Sequence, residues 1–153
     1  MALDQDITLL SGIGLFSNLD SDALRLIAFA AETRMVGSGD VLFREGHAAD
    51  CGYVVIEGEF VLTDAGGLSS GRKVGPGTLL GEIALIVETT RPATATATTP
   101  SAVMRIPRTL FRRVLTEFPV AAQRVHAEFR AKMRSTSIDL AKARSAFLAI
   151  DRQ

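Results

Sequence analysis

A mainly β domain with flanking helices, its strands wound into an antiparallel jelly-roll β-barrel (a double-stranded β-helix), is the fold class that three features of the sequence predict. Five short runs of β-type residues follow one another about every ten residues, separated by glycine-marked turn signals, which is the spacing of an antiparallel barrel rather than of βαβ units. The run PATATAT, residues 92–98, alternates alanine and threonine in period two, so one face of a strand is uniformly small and apolar. Before the first of these runs and after the last, apolar residues recur at helical spacing instead.

The first predicted element is a helix within NLDSDALRLIAFAAET. Asp20 or Ser21 is placed to cap it, and Leu24, Ile27, Ala28 and Ala31 fall at i, i+3, i+4 and i+7. The strands then read TRMV, VLFRE, CGYVVI, EFVLT and RKV. Turn signals stand between them at Gly37-Ser38-Gly39-Asp40, Glu45-Gly46, Glu57-Gly58-Glu59 and Ala65-Gly66-Gly67. Beyond a glycine-rich passage, PATATAT and SAVMRI complete the strands. From Pro107 the pattern turns helical, with Leu110, Phe111, Val114, Leu115 and Phe118 on one face of RTLFRRVLTEF. Pro119 suits the first position of a further helix, where its missing N–H and fixed φ cost nothing. Along that long last helix Val125, Phe129, Met133, Leu140 and Phe147 recur near multiples of 3.5 residues. Thr136 and Ala143 occupy seam positions that a strong coiled coil gives to larger residues, and Ser135 to Asp139 is the weakest stretch. This helix either pairs with a second copy or folds back on the barrel. The organisation is thus one domain over residues 1–153, with barrel and flanking helices at 13–119 and a C-terminal lid or dimerisation helix at 120–153.

Composition narrows the function classes. The 153 residues are 47% hydrophobic and 22% charged, as in one globular domain with its own core. The start MALDQDITLL is acidic and lacks the basic and apolar regions of a secretion signal. No run approaches the roughly 18–20 apolar residues of a membrane span, so a cytoplasmic location is expected. The one cysteine, Cys51, has no disulfide partner and reads as a buried structural thiol. Net charge is zero but unevenly placed: residues 1–104 hold 6 basic and 13 acidic side chains, residues 105–153 hold 11 and 4. The basic residues Arg105, Arg108, Arg112, Arg113 and Arg124 lack the interleaved aromatics of a single-strand nucleic-acid binder. They read as a solvated helical surface, or one that complements the acidic half of the same or a neighbouring subunit. With only His47 and His126, in no metal-ligand motif, the sequence does not fit a metal-dependent jelly-roll enzyme, and no nucleophile has a partnered base. No catalytic, metal or cofactor site is expected, and His47 reads as a surface histidine.

The chemistry concentrates in GPGTLLGEIALIVETTRPATA. Gly75, Gly77 and Gly81 lead into a short apolar segment of good helix formers, which predicts a tight turn followed by the N-terminus of a one- or two-turn helix. Free amides there, approached closely past glycine, suit a phosphate. Glu82 offers an acceptor-only carboxylate for ribose hydroxyls, and Arg91 a permanent cation where the next strand begins. Taken alone, a glutamate and an arginine nine residues apart read in most proteins as an ion pair across the turn, and spacing does not decide between the two roles.

The stretch GEIALIVETTRPATA resembles the phosphate-binding cassette of the cyclic nucleotide-binding domain family, Gly-Glu-(Leu/Ile)-Ala-Leu, a spacer, then Arg-x-Ala-(Thr/Ser)-Val. Gly81, Glu82, Ile83, Ala84, Leu85, Arg91, Ala93 and Thr94 match. GLFSNLDSDALRLIA resembles the family's N-terminal helical motif, GSGDVLFREGHAADCGYVVIEGEFVL its early strands, and RTLFRRVLTEFP the helix after its barrel, all in the expected order over residues 13–119. The resemblance implies contacts to a cyclic phosphate at Arg91, Ile83 and Ala84, with Pro92 and Ala93 beside them. It also implies a ribose contact at Glu82, shaped by Gly81, and a helix that closes over the base. Pro92 departs from the family's usual Ala, Ser or Thr and supplies neither amide hydrogen nor hydroxyl. One hydrogen bond to a charged group is worth roughly 1.5–3 kcal/mol, so its loss weakens binding on the order of ten- to a hundred-fold. Without that hydroxyl, cAMP is favoured over cGMP. The expected function is a cyclic nucleotide sensor acting through its C-terminal helices on a separate partner or by dimerising. The alternative is a scaffold or dimerisation domain of the same fold that binds no nucleotide.

Overall fold

The computed structural model describes residues 3–65 and 71–134. Two helices open the chain, α1 (Leu3–Ser11) and α2 (Ser21–Ala30), with a 3-10 turn at Phe16–Asn18 between them. Asp20, not Ser21, caps α2, its carboxylate accepting from the Ala23 amide at 3.0 Å. Ten strands follow: β1 (Glu32–Val36), β2 (Val41–Phe43), β3 (Ala48–Ala49), β4 (Cys51–Glu57), β5 (Phe60–Thr63), β6 (Arg72–Val74), β7 (Leu79–Leu80), β8 (Thr89–Thr90), β9 (Thr94–Ala97) and β10 (Ser101–Pro107). Helices α3 (Arg108–Glu117) and α4 (Pro119–Arg134) close the order.

Every strand pair is antiparallel, as expected, but the strands do not close into a barrel. They form two four-stranded sheets, β1-β10-β4-β7 and β2-β9-β5-β6, and a two-stranded clip of β3 with β8. The reason lies at the crossings. The chain passes from β1 to β2 and from β6 to β7, edge strand to edge strand, through turns rather than shared ladders. The first of these turns needs Gly39 at φ +86°. The result is a jelly-roll sandwich with helices on one side.

Alternation along the strands builds two cores. On β4, Cys51, Tyr53 and Val55 face the second sheet, where they meet Phe60, Val74, Ala95 and Ala97. Val54 of the same strand, with Met104 and Ile106 of β10, faces the helices and packs with Leu10, Ile27, Phe111, Val114, Val125 and Phe129. Val125 and Phe129, the first two seam positions of the last helix, are therefore buried in this chain's own core. Leu140 and Phe147, with Thr136 and Ala143, lie outside the described residues, as does the side chain of Met133.

Three differences from the expected pattern bear on the site. Helix α1 was not anticipated, nor were the two-residue strands β3, β7 and β8. The expected one- or two-turn helix after Gly81 is a single 3-10 turn, Ile83–Leu85. β-Branched Ile86, Val87, Thr89 and Thr90 follow it, a run that disfavours helix and carries the chain into β8.

Candidate functional site

Arg91 sits between β8 and β9, and its backbone is held at both ends. Its N–H donates to the His47 carbonyl at 2.8 Å and its carbonyl accepts from the Gly46 N–H at 2.8 Å. The clip β3–β8, with Ala48 opposite Thr90 and Ala49 opposite Thr89, fixes the approach. His47 itself is exposed, as expected.

The guanidinium enters the gap between the sheets and is only 4% exposed. Its carbon lies 4.5 Å from the centroid of the Phe43 ring and 5.4 Å from that of Tyr53, two rings stacked on each other at 5.9 Å from opposite sheets. Nη2 donates to Cys51 Sγ at 3.2 Å. Gly81, at φ +86°, lies so close that a Cβ would stand 2.5 Å from Arg91 Nη1 and 3.1 Å from the Cys51 carbonyl. Glycine is thus demanded twice, by backbone angle and by the cation beside it.

These contacts are mostly aromatic and neutral. Burial, reinforced by a hydrogen bond with Cys51, pushes the Tyr53 hydroxyl above its ordinary pKa, so it stays uncharged at neutral pH. Arg91 Nη1 is buried with no hydrogen-bond partner among the described residues. Cation–π contact is worth about 2 kcal/mol when desolvated, less than burying a cation costs, so an anion is the group that would complete this site.

A cavity of about 330 Å³ opens against Arg91, lined by Ala49, Gly81, Glu82, Ile83, Ala84, Thr89, Thr90 and Pro92. A second, of about 220 Å³, lies between the sheets and shares Gly81, Arg91 and Pro92 with the first. Phe43, Leu62, Val74, Leu80 and Ala93 are among its walls. The fold therefore brings all seven expected site residues together: Gly81, Glu82, Ile83, Ala84, Arg91 and Pro92 on the outer cavity, Ala93 on the inner. One expectation needs correcting. The Ala84 amide is not free but closes the 3-10 turn onto the Gly81 carbonyl at 3.1 Å, and a three-residue turn has little of the dipole of a full helix.

Residues that the sequence did not single out complete the site. Cys51 was read as structural and is 1% exposed, yet its sulfur is the guanidinium's acceptor. Phe43 and Tyr53 carried no local sign of an arginine partner. Arg108, read as part of a solvated surface, donates from Nε to the Ala84 carbonyl at 2.7 Å and from Nη2 to the Ala49 carbonyl at 2.5 Å. Arg113 does fit the solvated reading, pairing with Glu117 one turn on at 3.2 Å. Among the described residues no three His, Cys, Asp or Glu side chains are grouped to hold a metal.

The fold and site define a jelly-roll ligand-binding domain with a buried arginine at the junction of two cavities. Residues 33–118 match the family model described as cyclic nucleotide-binding domain, and the chain belongs to that family. A cAMP-dependent protein kinase regulatory subunit of Eremothecium gossypii is 37% identical over 106 residues, 66% of this chain and 22% of that protein. A Neurospora crassa lysophospholipase is 33% identical over 112 residues, 71% of this chain and 7% of that protein. The chain thus spans less than a quarter of these relatives' length. A solved cyclic nucleotide-binding-like protein from Brucella abortus has 45% identity and a TM-score of 0.66, covering 73% of this chain and 98% of that one. The N-terminal domain of a Streptomyces coelicolor transcriptional regulator has 28% identity and a TM-score of 0.72, covering 86% and 96%.

Proposed function

We propose that this domain senses a cyclic nucleotide monophosphate, cAMP in preference to cGMP, through its phosphate on Arg91 and its ribose on Glu82. The observation that carries the reading is the buried Arg91 guanidinium, whose Nη1 lacks a hydrogen-bond partner among the described residues while Gly81 leaves the cavity beside it open. Ile83, Ala84, Pro92 and Ala93 would wall the phosphate, and Gly81 would admit it. Pro92 offers no amide or hydroxyl to a guanine, which supports cAMP. Ligand would favour a closed arrangement of α3 and α4, a population shift that a separate protein partner, or a second copy meeting residues 120–153, would read in the cytoplasm. A regulatory role of this kind needs no catalytic residue.

One observation favours the second reading, a scaffold of the same fold. Pro92 has no amide hydrogen, and the Ala84 N–H is already bonded, so the cavity offers fewer donors than the cassette motif implies. Thermal denaturation separates the two. Ligand at a hundred times its Kd adds about 2.7 kcal/mol, several degrees for a domain of this size. A sensor shows this shift with cAMP and loses it in Arg91→Ala. Wild-type protein whose melting is unmoved by millimolar cAMP and cGMP is the scaffold.

A further inference from the structure

We infer that Arg108 is a positioning residue for the anion cavity, fixing the spacing of two of its walls and carrying that spacing into α3. Its backbone is anchored first: the Arg108 N–H donates to the Asp50 carbonyl at 2.9 Å, at the corner between β3 and β4. From there the side chain reaches back to two carbonyls that belong to different walls. Ala84 lies in the 3-10 turn that follows Glu82, and Ala49 lies in β3, whose partner Thr89 stands two residues before Arg91. Both alanines line the cavity.

A guanidinium is planar, with donors in a fixed fork, so two carbonyls bonded to one guanidinium are held at a set distance. Both bonds are charge-assisted and short. Ala84 and Ala49 are both buried, and the guanidinium links their carbonyls directly, one from each wall. Arg108 is also the first residue of α3, and Phe111 one turn on shares a core with Leu85 of the turn. A ligand that draws the walls together therefore moves the start of α3 with them. This role is separate from the anion contact itself, which Arg91 makes.

The test uses the full chain with Arg108→Met and Arg108→Lys, followed by hydrogen–deuterium exchange without nucleotide and by cAMP calorimetry. In Arg108→Met, exchange at residues 48–50 and 82–91 is expected to rise about ten-fold while β5 and β9 exchange as in wild type, and cAMP affinity is expected to fall by a similar factor. Lysine keeps the charge but not the fork, so Arg108→Lys is expected to stay several-fold below wild type on both measures. Unchanged exchange in the walls, a uniform rise across the whole domain, or full rescue by lysine each overturns the inference. If Arg108→Met fails to fold, the lysine variant carries the same comparison. The affinity measurement rests on the cyclic nucleotide reading: wild-type protein that takes up no cAMP refutes that reading, and the exchange data then decide the positioning role alone.

Discussion

At the residue scale, Gly81 is the position where the site tolerates least. Its left-handed φ strains any other residue, and a Cβ there would push on both Arg91 and the Cys51 carbonyl, one of which must shift. Gly81→Ala is expected to lower stability by about 1–3 kcal/mol in urea denaturation and to abolish nucleotide-dependent stabilisation, since the displaced group is the arginine. A loss of stability with ligand response intact would show that the turn relaxes away from Arg91. That Gly81, Glu82 and Arg91 share one cavity was legible because a glycine-led turn and a permanent cation stand out in residue type and spacing. Cys51, Phe43 and Arg108 were not, because what matters is whom they touch. Cys51 meets Arg91 across 40 positions and Arg108 meets Ala84 across 24, and no local pattern records either contact.

At the element scale, α1 carries a buried acid. Asp6 lies in its first turn, where a carboxylate favours the helix dipole, but it is 9% exposed and its Oδ1 has no partner among the described residues. Burial pushes its pKa up from 3.8. The folded state then holds the proton more tightly than the unfolded chain, so stability declines as pH rises from about 3.8 through the raised value, and the penalty is complete at neutral pH. Asp6→Asn is expected to raise the melting temperature at pH 7, with the gain shrinking as the pH is lowered to the unfolded value. A gain equally large at pH 3 would refute the assignment. Helix α1 escaped sequence reading because polar Asp4, Gln5, Asp6 and Thr8 interrupt its nine residues and leave little apolar period. Strands β3, β7 and β8 are two residues long, too short to show alternation at all. The longer elements read well: α2, β4, β10 and α3 lie within a residue or two of their expected spans, because each buries a face with its own period.

At the scale of the whole molecule, the helical layer is tied together across its two ends. Asn18 Nδ2, in the 3-10 turn before α2, donates to Glu128 Oε2 on α4, and Phe129 beside it fills the core under α1 and α2. Glu128→Ala is expected to cost about 1.5–3 kcal/mol and to speed amide exchange over residues 119–131 more than in either sheet. Exchange rising equally in the sheets would mean that α4 does not open as a unit. The class of fold was legible from the regular strand spacing. Its division into two sheets was not, because closure depends on which edges pair after each crossing, and both turn-forming crossings look alike in sequence.

Strand β10 joins β1 to β4, Arg105 standing opposite Glu32 on one side and Tyr53 on the other. Among the described strands it is also the last to leave the ribosome. Until it is synthesised, β1 has no neighbour and β4, which carries Cys51 and Tyr53, is bonded only to the two residues of β7. Such long-range pairing slows folding, and elongation at about 5–20 residues per second sets when it can begin. Arg91 is therefore synthesised before β10 exists to hold β4 in place, and its cation stays hydrated until β10 arrives.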